Sequence, residues 1–403
     1  MFQPLKIRDF RAYWIGQVIS LSGTWMQHIA QSWLVYVITN SAFYLGLISF
    51  LSSFPMLIFT LFGGVVADRY SRKKILVLTQ IFSLFPALFL GIIIQLNKVE
   101  IWHVAVASLV LGIASAFDMP ARQAFITEIV SKEMITSAVA MQSMSFNIAR
   151  IVGPFLAGVI VTNLNFHMCF YLNAISFLPL IVILRWISEK NIPATTENSS
   201  VKHFFKEGLA FLLERKRILF TISAVGIFTV FGVSFIPVLP VIAKEVLGRG
   251  VEGYSMLVTS IGIGSLTAGT IIAIRKDIQD KEKHIFLASL IFPVGLFGIA
   301  FSENFYLTII FAFLLGLSFV NFFTVSNSFI QHQTESRLRG RVMSFFSFVF
   351  LGFTPFGNML MGVLVENFGT RMVISLCALV CMISSVVFFK ILPSYFSRGN
   401  ETS

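Results

Sequence analysis

The sequence predicts an all-α, polytopic membrane protein with twelve transmembrane helices in two pseudo-symmetric halves of six. Of its 403 residues 56% are hydrophobic and only 12% are charged, whereas soluble domains carry roughly 25% charged residues. Long apolar runs such as 75–94 lack the alternation of a barrel strand, and lipid offers the backbone no hydrogen-bond partners, so the spans are helices. Twelve spans place 25 of the 30 Lys and Arg residues on one side and four on the other. Because cytoplasmic loops are rich in these residues, both termini are expected in the cytoplasm.

The segments that could span a membrane follow one another with short connections. A spanning helix needs roughly 20 apolar residues. The spans are predicted at 12–37, 41–66, 75–95, 101–121, 135–161, 168–187, 218–243, 253–274, 285–302, 305–330, 342–365 and 372–391. The domains follow as a first half (1–188), a cytoplasmic linker (189–217) with an amphipathic helix at 201–213, and a second half (218–403).

The charge and the cysteines exclude several classes of function. The net charge of +11 follows from the orientation of the chain in its membrane, so no nucleic-acid partner is expected. Cys377 and Cys381 are one helical turn apart, but no third or fourth ligand lies nearby, so packing is favoured over a metal site. The chain has no nucleotide-binding loop of the Gly-x-x-x-x-Gly-Lys type. We expect neither a metal nor a cofactor.

The loop after the second span combines an acid with a cluster of bases. Its residues of interest are Gly64, Asp68, Arg69, Arg72 and Lys73. A glycine lets helices approach closely, and an acid at a membrane edge can cap a helix or pair with a base. Such bonds would hold one conformation closed, which predicts a conformational latch. The alternative for the bases is that they only set topology.

This loop resembles the signature of the major facilitator superfamily: Gly, three residues, Asp, Arg, two residues, Arg, Lys. Ser71 stands where the family usually has a glycine. The resemblance implies the twelve-helix major facilitator fold and a latch function for the loop. A weak internal repeat fits that fold, because Met141 leads to Pro154 as Val342 leads to Pro355, about 200 residues later.

A second motif lies at the end of the fourth span. Asp118 and Arg122 are four residues apart, so they are predicted to pair on one helix face; charges this near the membrane are costly unless partnered. The family resemblance suggests Arg72 as another partner of Asp118. With Phe125, the motif resembles the branch that contains macrolide exporters and the enterobactin exporter.

A third motif lies in the fifth span, where Gly153, Pro154 and Gly158 occur within six residues. Proline and glycine weaken the helical backbone and allow a bend, and small residues permit tight helix contact. The motif resembles an exporter signature. An ordinary packing kink is the alternative.

Polar residues inside the spans predict a substrate path. They are Gln17, Thr24, Gln27, Gln31 and Asn147 in the first half, and Asn321, Asn327 and Asn358 in the second. Polar side chains in a membrane usually face a cavity or the bundle interior. Hydrogen bonding between helices is the alternative.

Charged and titratable residues of the first half form a predicted coupling network. Its members are Asp118, Arg122, Arg150 and His28. The second half's predicted span interiors contain no Asp, Glu, Lys or Arg, so proton coupling would have to use the first half. His28 could carry a proton, although a purely structural histidine is the alternative.

The resemblance implies a secondary active efflux permease in the inner (plasma) membrane. It would export small amphipathic molecules, of a drug, macrolide or siderophore kind, by alternating access driven by the proton gradient. The alternative is an importer or lipid flippase of the same fold. An enzyme is disfavoured because the six histidines are scattered and no acid pair lies in the core. The expected partners are a small-molecule substrate, protons and the lipid bilayer, and the chain is expected to be monomeric.

Overall fold

The computed structural model describes residues 2–187, 210–275, 280–335 and 338–391. In these ranges the regular structure is helical and contains no strand, which confirms the all-α class. Short 3₁₀ turns at Gln3–Lys6 and Lys132–Met134 precede the first and fifth helices. The main helices are α1 (Arg8–Thr39), α2 (Ala42–Arg69), α3 (Arg72–Gln95), α4 (Ile101–Ile129), α5 (Ile135–Asn163), α6 (Phe166–Trp186), α7 (Lys216–Val246), α8 (Val251–Arg275), α9 (Lys281–Phe301), α10 (Phe305–Gln333), α11 (Arg339–Phe368) and α12 (Thr370–Val386).

The described helices have the lengths and compositions of membrane spans. Eleven of them are long and apolar enough to cross a bilayer. The remaining one, α1, has 32 residues, and its polar stripe lowers its hydropathy. The twelve helices agree with the predicted spans. Most of the predicted linker, and most of the interfacial helix predicted at 201–213, lie outside the described residues.

Several helices extend beyond the predicted spans. The fourth was expected to end near residue 121, but α4 continues to Ile129. The segment after Pro120 contains no glycine or proline and begins with Ala, Arg and Gln, which favour helix. As a consequence Asp118, Arg122 and Glu128 all lie on one continuous helix.

The seventh helix is irregular. It starts as an α-helix, changes to a π-turn at Phe228–Gly232 and a 3₁₀ turn at Val233–Val238, and ends in a second π-turn at Ile242–Val246. Pro237 and Pro240 lack the amide hydrogen that an α-helical ladder needs, so regular hydrogen bonding cannot run through this stretch.

The chain divides into two compact units. The first comprises residues 1–196 together with 243–259, and the second comprises residues 197–242 together with 260–403. A core of the first unit surrounds Tyr13 and Phe125, whose ring centroids are 5.2 Å apart. In the second unit Phe228 stacks on Phe322 at 4.4 Å. The first unit therefore takes in segment 243–259, which the sequence assigns to the second half.

Candidate functional site

Asp118 is the centre of a polar cluster inside the first unit. Its Oδ2 pairs with Arg122, at 2.7 Å from Nε and 2.5 Å from Nη2. Its Oδ1 accepts hydrogen bonds from Thr79 Oγ1 at 2.9 Å and from Gln80 Nε2 at 3.1 Å. Ser20 on α1 extends the cluster by donating to Gln80 Oε1 at 2.8 Å. The pair predicted from the four-residue spacing is present, and both of its side chains are largely buried.

Arg72 does not pair with Asp118, which corrects the expectation taken from the family resemblance. Its Nη1 lies 2.5 Å from Glu128 Oε1, and its Nε donates to the carbonyl of Ala67 at 3.2 Å. Glu128 is 5% exposed. Because α4 continues past residue 121, it carries this second acid to the start of α3. Two acids of α4 thus form separate, largely buried ion pairs, Asp118 with Arg122 of the same helix and Glu128 with Arg72 of α3.

The other predicted latch residues have unequal surroundings. Lys73 Nζ donates to the carbonyls of Arg185 at 3.2 Å and Ile187 at 2.8 Å, at the end of α6, where a cation stabilises a helix terminus. Asp68 and Arg69 are exposed at the end of α2, and no hydrogen bond of the Asp68 carboxylate occurs among the described residues. The latch function of this loop remains a prediction.

Gly64 does not provide the close helix approach expected of it. A Cβ atom at Gly64 would meet nothing within 4 Å, whereas one at Gly63 would lie 2.4 Å from the carbonyl oxygen of Ala116. Adjacent helical residues point about 100° apart, so it is Gly63 that faces α4. The predicted function in packing therefore belongs to the neighbouring glycine.

The polar stripe of α1 packs against other helices inside the first unit. Gln27 Oε1 accepts from Asn173 Nδ2 on α6 at 2.7 Å, and Gln31 Nε2 donates to Ser108 Oγ on α4 at 2.9 Å. Gln17 is 2% exposed, and Thr24 donates to its own helix. Gln27 and Gln31 thus make the contacts between helices that the alternative expects, and a function of the stripe in the substrate path remains a prediction.

His28 and Arg150 lie near one aromatic ring and apart from the Asp118 cluster. The ring centroid of Trp25 is 6.2 Å from that of His28 and 5.9 Å from Cζ of Arg150. His28 is exposed on the first unit, and it follows Ser20 by eight residues, which is about 12 Å along the helix axis. The predicted network of four residues is thus divided into two groups.

The exporter-like motif brings α5 very close to α1. A Cβ at Gly153 would lie 2.4 Å from Cβ of Trp25 and 2.8 Å from the backbone nitrogen of Met26. A Cβ at Gly158 would be 2.9 Å from Cβ of Ser255, in the 243–259 segment of the same unit. Pro154 is buried within α5. Both glycines are therefore required for tight packing.

We expect Gly153→Ala to destabilise the protein by about 1–3 kcal/mol, because backbone atoms of α1 cannot yield to the added methyl group. Gly64→Ala is the matched control, since its methyl group meets open space and alanine favours helix. The measurement is the Tm of each purified variant in detergent. Equal Tm values for the two variants would contradict the packing function of Gly153.

The remaining predicted path residues have mostly local hydrogen bonds. Asn147 is half-buried on α5 and donates to the carbonyl of Ser143 at 2.9 Å. In the second unit Asn321 donates to Leu317 at 3.0 Å, and Asn327 accepts from Gln331 at 2.6 Å. Asn358 is half-buried on α11. Asn327 lines a cavity of about 300 Å³ within the second unit.

The far end of α1 packs against segment 243–259 within the first unit. The hydroxyl of Tyr36 donates to Glu245 Oε1 at 2.5 Å, and Lys244 Nζ lies 5.1 Å from the centre of the Tyr36 ring. Trp33 stacks on Tyr254 with ring centroids 6.2 Å apart. These contacts explain why the segment groups with the first unit.

Several of these residues carry no distinguishing pattern in the sequence. Glu128 falls between the predicted spans 101–121 and 135–161, and no motif distinguishes Gln80 and Asn173 from the other residues of their spans. The available signal for Glu128 was its position ten residues after Asp118, in a chain with only 19 acidic residues. Glu245, at the end of α7, gave no motif.

Comparison with known proteins identifies the family. The family model described as "Transmembrane secretion effector" matches residues 1–399. The chain is 25% identical over 372 residues to the staphyloferrin A transporter of Staphylococcus aureus (strain NCTC 8325 / PS 47), with 92% of each chain covered. It is 23% identical over 374 residues to macrolide efflux protein A of Streptococcus pyogenes, with 90% of each covered.

A solved structure supports the fold. The crystal structure of a bacterial homologue of the human lysosomal transporter Spinster, inward-facing and unoccupied, aligns with a TM-score of 0.72 at 11% identity. The alignment covers 96% of this chain and 97% of that one. The resemblance inferred from the loop motifs is confirmed by the family match. The chain belongs to the transmembrane secretion effector family of the major facilitator superfamily, and it is a multi-pass membrane transporter.

Proposed function

We propose that this transporter exports small amphipathic molecules from the cell by alternating access, driven by the proton gradient. The observation that carries export is the match to macrolide efflux protein A along 90% of both chains. The match to the staphyloferrin A transporter extends the proposed substrate class to siderophore-like molecules.

The Asp118 cluster supports proton coupling. Alternating access needs a ligand or ion that binds one state better than the other. The carboxylate of Asp118 uses both oxygens to bind donors from α3 and α4. Protonation would remove its charge and weaken its pair with Arg122, which would favour a different arrangement of these helices. A permanent salt bridge is the alternative arrangement.

Inside-out membrane vesicles provide the test. Vesicles that contain the protein should accumulate radiolabelled erythromycin when their interior is made acidic, and a protonophore should abolish the accumulation. Vesicles without the protein are the control. Uptake of the same compound into right-side-out vesicles, without accumulation in inverted ones, would favour an importer.

The proposed topology places both termini in the cytoplasm of the plasma membrane. Lys98→Cys, between α3 and α4, should react with a membrane-impermeant thiol reagent in intact cells, whereas Lys132→Cys, between α4 and α5, should react only after lysis. Both positions are exposed, and the three native cysteines are buried, so their background should be low. The opposite labelling pattern would invert the topology. We propose a monomer as the transporting unit.

A further inference from the structure

The second unit contains a polar cavity that the proposed mechanism does not use. Its volume is about 300 Å³, and it lies between one face of α10 and the start of α11. The spacing of its α10 residues by three or four places them on that face. The cavity is lined by Thr324, Asn327, Ser328, Gln331, His332 and Arg339.

Hydrogen-bond donors dominate this cavity. Arg339 contributes a guanidinium, and no acidic side chain is among the lining residues. Gln331 Nε2 donates to Asn327 Oδ1 at 2.6 Å, which occupies that acceptor and leaves the Asn327 amide hydrogens for a ligand. In the described part of the chain neither Arg339 nor His332 has a salt bridge. The acid closest in sequence, Glu335, contacts Arg339 through its backbone carbonyl.

This chemistry suits an oxyanion. The planar guanidinium of arginine matches a carboxylate or phosphate with two parallel hydrogen bonds. Hydroxyl and amide donors beside it would bind the remaining oxygen lone pairs. A volume of about 300 Å³ is at the lower end of the range for ligand sites, so the cavity suits the charged end of a molecule rather than a whole drug-sized one.

We propose that this cavity binds a carboxylate or similar oxyanion group of the exported molecule, which makes amphipathic anions a substrate class of this transporter. The proposal rests on the proposed export function. Arg339 binds the anion directly, while Thr324 and Asn327 orient it. An amphipathic cation of equal size lacks a partner in this cavity and binds less tightly.

Direct binding tests the proposal. The probe is carboxyfluorescein, a small aromatic anion, and its binding to the purified full-length protein in a neutral detergent is followed by fluorescence anisotropy. Arg339→Gln should raise its Kd about tenfold, and Thr324→Val, which keeps the shape but removes one hydroxyl donor, should raise it severalfold. Ethidium, an aromatic cation, should bind Arg339→Gln at least as tightly as the original protein.

A matched variant separates a specific site from general electrostatics. Arg275→Gln removes the same charge from an exposed position at the end of α8, outside the cavity. It should leave the Kd of carboxyfluorescein within twofold. Equal weakening by Arg275→Gln and Arg339→Gln, or no weakening by either, would overturn the proposal. Because Thr324→Val changes no charge, weaker binding by this variant would show that the effect does not come from charge alone.

A lipid headgroup offers the same oxyanion chemistry, so the membrane must be varied. Carboxyfluorescein binding is repeated in nanodiscs of phosphatidylcholine alone and with one-fifth phosphatidylglycerol. Equal affinity for carboxyfluorescein in the two kinds of nanodisc supports a solute site. Loss of binding in the discs that contain phosphatidylglycerol overturns the proposal in favour of a lipid headgroup. Failure of export is visible separately, because the accumulation of erythromycin in inverted vesicles is measured independently of carboxyfluorescein binding.

Discussion

Asp118→Asn is expected to abolish accumulation of substrate against its gradient under an imposed pH step. The amide cannot gain or lose a proton, and it binds Arg122 without a charge, so proton occupancy can no longer favour one state. We expect driven uptake of erythromycin into inverted vesicles to fall at least tenfold. Exchange of labelled for unlabelled substrate at equilibrium, which needs no net coupling, should be largely retained.

Two comparisons make this result decisive. Retained exchange shows that the variant is folded and still binds substrate. Glu133→Gln removes an exposed acid near the start of α5 and should leave driven uptake unchanged. If Asp118→Asn concentrates substrate as well as the original protein, Asp118 is not the coupling residue, and His28 becomes the next position to test.

Glu128→Gln should cause the largest loss of stability. Glu128 is 5% exposed, and its partner Arg72 is 14% exposed. Removing one member of a buried ion pair leaves the other charge without compensation, which typically costs about 3–5 kcal/mol. We expect a clearly lower Tm in detergent and reduced yield from membranes.

A double-mutant cycle identifies the partner of Arg72. Arg72→Gln combined with Glu128→Gln should be more stable than the sum of the single losses predicts, because no uncompensated charge remains. Arg72→Gln combined with Asp118→Asn should be additive to within about 0.5 kcal/mol, since the structure shows no bond between these two residues. Coupling to Asp118 instead of Glu128 would contradict the assignment of the ion pairs.

The sequence was sufficient for the fold and for contacts between near neighbours. Low charge and long apolar runs determine where lipid can surround the chain, and these properties predicted the helices. The Asp118–Arg122 pair follows from spacing on one helix, and the tight contact at Gly153 follows from its missing side chain. Each of these conclusions depends on local geometry, which the sequence contains directly.

Contacts between residues on different helices could not be predicted from the sequence in the same way. The pairing of Arg72 with Glu128 depends on how far α4 continues and how α3 is rotated against it. The stripe of glutamines on α1 has the same spacing whether it faces a cavity or a neighbouring helix. Distinguishing Gly63 from Gly64 required the rotation of α2, which one sequence does not reveal.

Segment 243–259 has a consequence for how the chain can be divided. A repeat that arises by duplication is expected to be separable at its linker, yet Trp33 and Tyr36 find their aromatic and carboxylate partners beyond that linker. A fragment that ended at the linker would expose these two large aromatic side chains.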